Sequence, residues 1–368
     1  MCAALGEARF VGGVVRDTLA GLAPKDIDLA TPLSPETVMT RLNPLGFKIV
    51  PTGIAHGTLT VVLPTGPVEI TTLRRDVSTD GRRATIAYTD DWREDAARRD
   101  FTMNALYADP VTGEIFDYFG GVDDLNAGLV RFIGTPLQRI AEDHLRILRY
   151  FRFHARFAKG APHAGSLAAC AARANDLMAL SRERIAQEWL AILGLADPVA
   201  VVGLMLEHAI LKPVLPEIVG LAPLTSLVAR EAGQFAPHPI RRFAALLPCD
   251  SALAEAIANR LKLSNAQRKR LMVLAARSAS DGDNPRALAY AMGVETARDR
   301  LLLAGLDHSA ITDWQPPRFP MTGGAIIARG VRAGPEVARL LQRIERQWVA
   351  AGFPDAAGLA VIVDAVLA

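Results

Sequence analysis

Two hydrophobic periods divide this chain of 368 residues. Up to about residue 135, short β-rich runs alternate with short amphipathic stretches; beyond it the apolar spacing settles to the helical period. In the first region 9–11 and 27–30 read as strands, 14–20 as a helix closed by Gly21, and 35–42 as a helix. The β-rich runs 58–63 and 68–73 flank Pro64-Thr65-Gly66-Pro67, a hairpin signal. The charged stretch 74–99 reads as a mobile loop with a short strand at 85–88. In the second region 137–158, 166–180, 182–193 and 199–208 carry helical spacing, and Pro213, Pro216 and Pro223 break the next stretch of chain. Further helices are expected at 240–247, 251–261, 266–279, 285–292, 295–303, 334–351 and 355–367. The pattern predicts an α/β head followed by a long all-α remainder.

Composition narrows the class. Half of the chain is hydrophobic, enough for a substantial core, yet no apolar run reaches the roughly 18–20 residues of a membrane span. Residues 1–10 lack the basic-then-apolar layout of a secretory signal. Cys2, Cys170 and Cys249 are odd in number and far apart, which suits a reducing cytoplasm and forms no zinc pattern. A net charge of +2 is no nucleic-acid signature. The type of cation says more: of 41 basic side chains only six are lysine. Arginine's planar donor fork suits phosphates and base edges, although a GC-rich genome yields the same bias.

Three polar clusters carry candidate chemistry. Asp26 and Asp28 sit in Lys25-Asp26-Ile27-Asp28, shortly after Gly12-Gly13-Val14-Val15-Arg16-Asp17. On a strand they would share a face, roughly 6.5–7 Å apart at the backbone. That separation suits the two ions of a two-metal site, which lie about 3.5–4 Å apart. The Gly12-Gly13 turn opens a helix, whose free N–H groups attract anions. Next comes Arg98-Arg99-Asp100-Phe101-Thr102-Met103-Asn104. Its arginines can meet triphosphate oxygens bidentately, Asp100 can accept from a sugar hydroxyl and Asn104 can donate to phosphate. A capped helix start with solvated arginines explains the same residues. Third is Glu142-Asp143-His144-Leu145-Arg146, with Arg149 beyond it, on what reads as one long helix where 143 with 146, and 142 with 146 and 149, share a face. Either this is a salt-bridged surface, or Asp143 beside Arg146 offers one acceptor next to donors. The latter would accept the amine and bare ring nitrogen of cytosine and adenine and reject uracil and guanine.

The ordered set of these runs, together with Asp117-Tyr-Phe-Gly-Gly-Val-Asp-Asp-Leu125 and Ser181-Arg-Glu-Arg-Ile-Ala-Gln-Glu188, resembles the class II tRNA nucleotidyltransferase (CCA-adding enzyme) and bacterial poly(A) polymerase family, over about residues 10–190. The resemblance implies a polymerase-β-like α/β nucleotidyltransferase head with a mixed sheet over 1–135. A helical neck that reads the nucleotide base (136–195), a helical body (196–305) and an RNA-binding helical tail (306–368) would come after it. It implies that Asp26 and Asp28 hold two catalytic Mg2+ ions, and Glu69 is the candidate third carboxylate, with a plain strand-edge glutamate as the alternative. Gly12, Gly13 and Arg16 would bind triphosphate; Arg99, Asp100 and Asn104 phosphate and ribose; Asp143 and Arg146, with Arg149 nearby, the base. Arg182, Arg184 and Glu188 would buttress the neck.

The implied activity is template-independent addition of CCA to tRNA 3′ ends from CTP and ATP, in the cytoplasm. Residues 57–62 lack the Gly-Arg-Arg-Phe-like run of the poly(A) branch, and 75–83 resemble the flexible loop of full CCA enzymes; an ordinary charged surface loop is the alternative. Enzymes adding only CC or only A, a poly(A) polymerase, and a non-catalytic RNA-binding protein are the rivals. Arg241, Arg242, Arg260, Lys262, Arg268, Lys269 and Arg270 are candidate RNA phosphate contacts.

Overall fold

The computed structural model describes residues 1–79 and 84–368. They form two compact units, Met1–Val219 and Gly220–Ala368.

The first unit is built on nine strands: β1 (Arg9–Val11), β2 (Ile27–Thr31), β3 (Lys48–Gly53), β4 (Thr58–Leu63), β5 (Gly66–Thr72), β6 (Arg74–Thr79), β7 (Ala84–Tyr88), β8 (Leu106–Ala108) and β9 (Ile115–Asp117). Seven make one sheet in the order β3-β4-β5-β2-β1-β8-β9, while β6 and β7 pair apart as an antiparallel ribbon. The sheet is mixed, as expected: β2 and β5 run parallel and the other neighbours antiparallel. Strand alternation sorts β2 between two cores. Leu29 packs with Val38, Leu42, Leu59 and Ile70 under the Pro35–Leu42 helix. Ala30 packs on the opposite face with Val11, Leu73, Trp92 and Tyr107. Asp28, two residues before Ala30, therefore projects on the second face. Glu69 stands opposite Asp28 in the β2–β5 register and shares that face.

Several expectations need correction. Residues 74–99 are not one loop: they contain β6, β7 and the Trp92–Ala97 helix, capped by Asp91 accepting from the Arg93 and Glu94 N–H groups. The strand β6 alternates without an apolar face, so pairing with β7 rather than burial marks it. Of the expected 75–83 loop, Asp80–Arg83 lie outside the described residues. The expected helix 137–158 is two helices, Pro136–Glu142 and Arg146–Phe157. Asp143 leaves the helical region at φ −152° and ψ 106°, and its carboxylate accepts the Leu145 N–H at 3.1 Å. This local bond competes with the helix, which is what aspartate does where a turn is available. The strands β3, β8 and β9 and the Gly121–Ala127 helix carry too little periodicity to be read beforehand.

The second unit is helical. Its core includes Leu227, Ala245 and Leu302 in one cluster and Ile344, Trp348, Leu359 and Val363 in another. The Ala222–Glu231 helix starts at the proline expected to break it, because Pro223 occupies its first turn, where no N–H is needed. Arg241 and Arg242 are 4% and 2% exposed. Arg241 donates to Glu231 at 2.6 Å and to Asp299 at 2.8 Å, and Arg242 to Glu231 at 2.7 Å. Arg270 adds a 2.6 Å bond to Asp299, and Arg268 pairs with Glu255. Arg241 and Arg242 are thus interior ion-pair partners, not phosphate contacts; Arg260, Lys262 and Lys269 stay at the surface.

Candidate active site

A cavity of about 420 Å3 opens in the first unit, lined by Gly12, Gly13, Arg16, Asp28, Arg98, Arg99, Asp100, Asn104, Asp143, Arg146, Arg149 and Phe153. Ten of the twelve residues expected from sequence meet there. Asp26 and Glu69 do not line it. Asp26 lies one residue ahead of β2 and is exposed, so the two aspartates do not share a regular strand. Arg98, whose pairing with Arg99 already marked it for phosphate, also lines the cavity, and Phe153 is an addition. Phe153 was accessible in principle: it lies four residues after Arg149 and seven after Arg146, hence on their face of the Arg146–Phe157 helix.

Five arginines against three aspartates make the wall basic, and a chain of bonds fixes it. At the floor, Gly12 adopts φ +70°, and a side chain there would press on Arg99 and the Asn104 carbonyl. From the short Gly13–Leu19 helix Arg16 donates to Asp17 at 2.8 Å and to the Asn104 side-chain oxygen. Asn104 in turn donates to Asp100 at 2.9 Å, and Arg149 donates to the other Asp100 oxygen at 2.8 Å. Burial would push the Asp100 carboxyl up, but Arg149 and the hydrogen bonds outweigh it and hold it at about 2. Asp100 is neither a helix cap nor solvated. The Arg146–Phe157 helix is tied onward by Arg152 to Glu188, at 2.6 Å.

At the far wall, Asp143 and Arg146 both reach the cavity, but not from one helix face as expected: the break at 143 separates them. Arg184 donates to both Asp143 oxygens, at 3.1 and 2.9 Å. Arg146 donates to Glu142 at 2.8 Å and to the carbonyls of Arg139 and Arg98 at 3.0 Å each. Each of the two side chains is therefore held by its own partner.

Asp117 and Gly121 support the site from behind. Asp117 accepts from the Gly121 and Val122 N–H groups at 2.9 Å and so starts the Gly121–Ala127 helix. A Cβ on Gly121 would lie 2.2 Å from the Thr102 carbonyl, so only glycine lets this helix approach the segment carrying Asp100 and Asn104.

The carboxylates at β2 differ from the rest. Burial raises the Asp28 carboxyl above the usual range, Glu69 and Asp26 raise it further, and Arg99 opposes them. Among the described residues none of the three has an ion-pair partner, and no three His, Cys, Asp or Glu side chains stand close enough to hold a metal ion. Asp28 and Glu69, opposite one another across β2 and β5, are nevertheless hard oxygen donors, the kind that suits Mg2+.

Residues 8–131 match the family model described as the poly A polymerase head domain, and residues 163–221 the one described as a probable RNA and SrmB-binding site of polymerase A. The chain is similar to the mitochondrial CCA tRNA nucleotidyltransferase 1 of Homo sapiens, with 34% identity over 374 residues, covering 94% of this chain and 84% of that protein. It is also similar to the CCA-adding enzyme of Oceanobacillus iheyensis, 45% identical over 149 residues, 40% of this chain and 36% of that one. Among solved structures, the Bacillus stearothermophilus CCA-adding enzyme in complex with CTP superposes with a TM-score of 0.72 at 28% identity, covering 94% of this chain and 89% of that one.

Proposed function

We infer the activity from the cavity and from one premise: this chain belongs to the tRNA nucleotidyltransferase and poly(A) polymerase family. It adds C, C and A to the 3′ end of tRNA, using CTP and ATP without a nucleic-acid template. The observation that carries this reading is a basic cavity that brings Asp28, with Glu69 across the sheet register from it, together with Asp143 and Arg146.

In this reading Arg16, Arg98 and Arg99 bind the triphosphate oxygens, with the backbone at Gly12 and Gly13 allowing close approach. Asp100 and Asn104 have most of their polar atoms spent on each other, on Arg149 and on Arg16. Their first task is to hold those arginines, and a ribose hydroxyl at Asp100 would share oxygens already engaged by the Phe101 N–H, Asn104 and Arg149. Asp143 accepts from the exocyclic amine of C or A and Arg146 donates to the adjacent ring nitrogen. Uracil and guanine put a carbonyl against Asp143 and an N–H against Arg146, and both clash electrostatically. Arg184 and Glu142 keep the two readers in place.

Asp26, Asp28 and Glu69 would hold the Mg2+ ions. When bound, these lower the pKa of the RNA 3′-hydroxyl and neutralise charge on the leaving pyrophosphate. The protein's share is alignment and charge stabilisation, with no covalent intermediate. The division into head, neck, body and tail at 135, 195 and 305 belongs to the same proposal. Arg339, Arg343 and Arg346, exposed along one side of the Pro335–Ala350 helix, replace Arg241 and Arg242 as candidate tRNA phosphate contacts. Among the described residues no helix is long and apolar enough to cross a membrane. Free thiols at Cys2, Cys170 and Cys249 support placement in a reducing cytoplasm.

The test is extension of tRNA transcripts ending before CCA, after C and after CC, with CTP and ATP supplied separately and together. Stepwise C, C, A addition with arrest is the expected result. Arrest at CC, or action only on the CC-ended transcript, would mean divided labour; long A tails would mean a poly(A) polymerase.

A further inference from the structure

The arginines of the second unit differ in what faces them. Arg241 and Arg242 are enclosed by Glu231 and Asp299. Arg230 and Arg298 have no ion pair among the described residues, and Arg230 Nε, Arg298 Nε and His308 Nδ1 are buried without a hydrogen-bond partner. Buried polar atoms in folded proteins are almost always bonded, so three orphans in one neighbourhood call for a reason.

Phe235 gathers them. Its ring packs against Leu227 and Leu302. The Arg298 guanidinium lies 5.2 Å from the ring centroid, and the His308 ring stands edge-on to it at 5.4 Å and 76°. Arg230, in the last turn of the Ala222–Glu231 helix, reaches the end of the Val294–Ala304 helix that carries Arg298. Its Nη1 would lie 3.3 Å from a Cβ at Gly305, three residues ahead of His308.

The acids beside these side chains are engaged elsewhere. Glu231, next to Arg230, pairs with Arg241 and Arg242. Glu295 is close enough to feel Arg298, but its ion pair is with Arg270 at 2.8 Å. Asp307, next to His308, accepts from the Ser309 N–H at 2.9 Å and its hydroxyl at 2.7 Å. The helix end at Gly305 offers Arg230 only a partial negative charge. Two guanidinium forks and an imidazole therefore surround one fixed ring with no acid to answer them. A phosphodiester brings a single negative charge, whereas a phosphate monoester near neutral pH carries about −1.5 to −2 and three acceptor oxygens, which suits this set better.

We propose that Arg230, Arg298 and His308, around Phe235, form a second anion site that takes a dianionic phosphate. The group has two sources, the 5′-terminal phosphate of a tRNA and free inorganic phosphate. The site lies wholly in the second unit and does not depend on the nucleotide reading of the first-unit cavity.

The full-length chain is titrated with inorganic phosphate by calorimetry at constant ionic strength. Filter binding then compares tRNA ending before CCA that carries a 5′-phosphate with the same RNA carrying a 5′-hydroxyl. Arg298→Gln, Arg230→Gln and His308→Gln are measured alongside. With the RNA terminus as ligand, the 5′-phosphate should tighten binding about tenfold, as one charge-assisted hydrogen bond does. Arg298→Gln should remove that difference and leave 5′-hydroxyl RNA bound as before. With free phosphate as ligand, its binding should weaken about tenfold in Arg298→Gln, and the RNA terminus should make no difference. Either result establishes the site and tells the sources apart. Arg298→Gln should keep its melting temperature, because no acid loses a partner; where it does not melt cooperatively, Arg230→Gln and His308→Gln decide by the same criterion. Absence of both phosphate binding and 5′-end preference would overturn the proposal. So would phosphate binding that survives in all three variants, which would place it in the first-unit cavity. Failure of the nucleotide reading would instead show as a wild-type chain that does not bind CTP, and would leave this test intact.

Discussion

Two networks in this chain use the same parts to opposite ends. In the second unit Arg241, Arg242, Glu231 and Asp299 form a closed ion-pair cluster, every member 4% exposed or less. In the first, Arg16, Arg99, Arg146 and Arg149 are equally well anchored but stand around an open cavity. Asp28, with Glu69 opposite and Asp26 nearby, has no ion pair of its own, and Arg99 only partly offsets its burial and its like-charged neighbours. A closed network maximises partners for what it buries. An open one keeps charge in reserve for a ligand, and the reserve is measured by what remains uncompensated. Arginine abundance therefore says little about RNA; the informative quantity is whether the partner of each arginine is already inside the protein.

The widest gap between the two networks should appear on removing a carboxylate from each. Asp28→Ala, or Asp26→Ala, should lower turnover about a thousandfold or more, through loss of charge stabilisation worth several kcal/mol. Its melting temperature should not fall. Retained activity in both variants would sink the metal assignment. Glu231→Gln should do the reverse: it leaves two buried guanidinium groups short of a counter-charge, at a cost of about 3–5 kcal/mol to folding of the second unit. CTP affinity should stay within about twofold, since the cavity lies wholly in the first unit. Calorimetry with CTP titration separates the two effects.

A subtler contrast is in pH and metal dependence. A carboxyl whose folded pKa is raised opposes folding once it ionises. For Asp28 the penalty is absent below the ordinary 3.8, sets in as pH rises and is complete above its raised folded value. Asp28→Asn should thus raise the melting temperature of the metal-free chain at neutral pH, with the gain vanishing at acid pH. Mg2+ should stabilise the wild type but not the variant. Asp100 has the opposite sign. Its pKa is lowered from 3.8 to about 2, so its contribution is full above 3.8 and is lost as pH falls toward 2. Arg149→Met should remove that acid-side loss, the smallest of these effects, readable in melts at stepped pH.

The contrast between local and distant partners also explains how much could be read beforehand. The head was legible where apolar period and turn chemistry agreed, as in β1, β2, β4 and the helix at Pro35–Leu42. The cavity residues were legible because each cluster is local in sequence. The features that escaped depended on partners far along the chain. Arg241 looks like a surface cation until Asp299 is brought to it from 58 residues away. The strand β6 has no apolar face to announce it. The break at Asp143 hides under a helical period that continues on both sides, since the turn is made by a side-chain bond rather than by a glycine or proline. Glu69 was legible only as a candidate, because register with β2 is a property of the sheet.

Base reading by Asp143 and Arg146 without a template is tested most directly by kcat/KM for CTP, ATP, UTP and GTP. The substrates are tRNA ending before CCA and tRNA ending after CC, with the wild type and Asp143→Ala compared on both. The wild type is expected to favour CTP on the first RNA and ATP on the second, and to reject UTP and GTP by about a hundredfold. The variant should lose most of that rejection, as expected for removal of a paired base-edge contact. Discrimination that survives intact in Asp143→Ala would contradict the assignment.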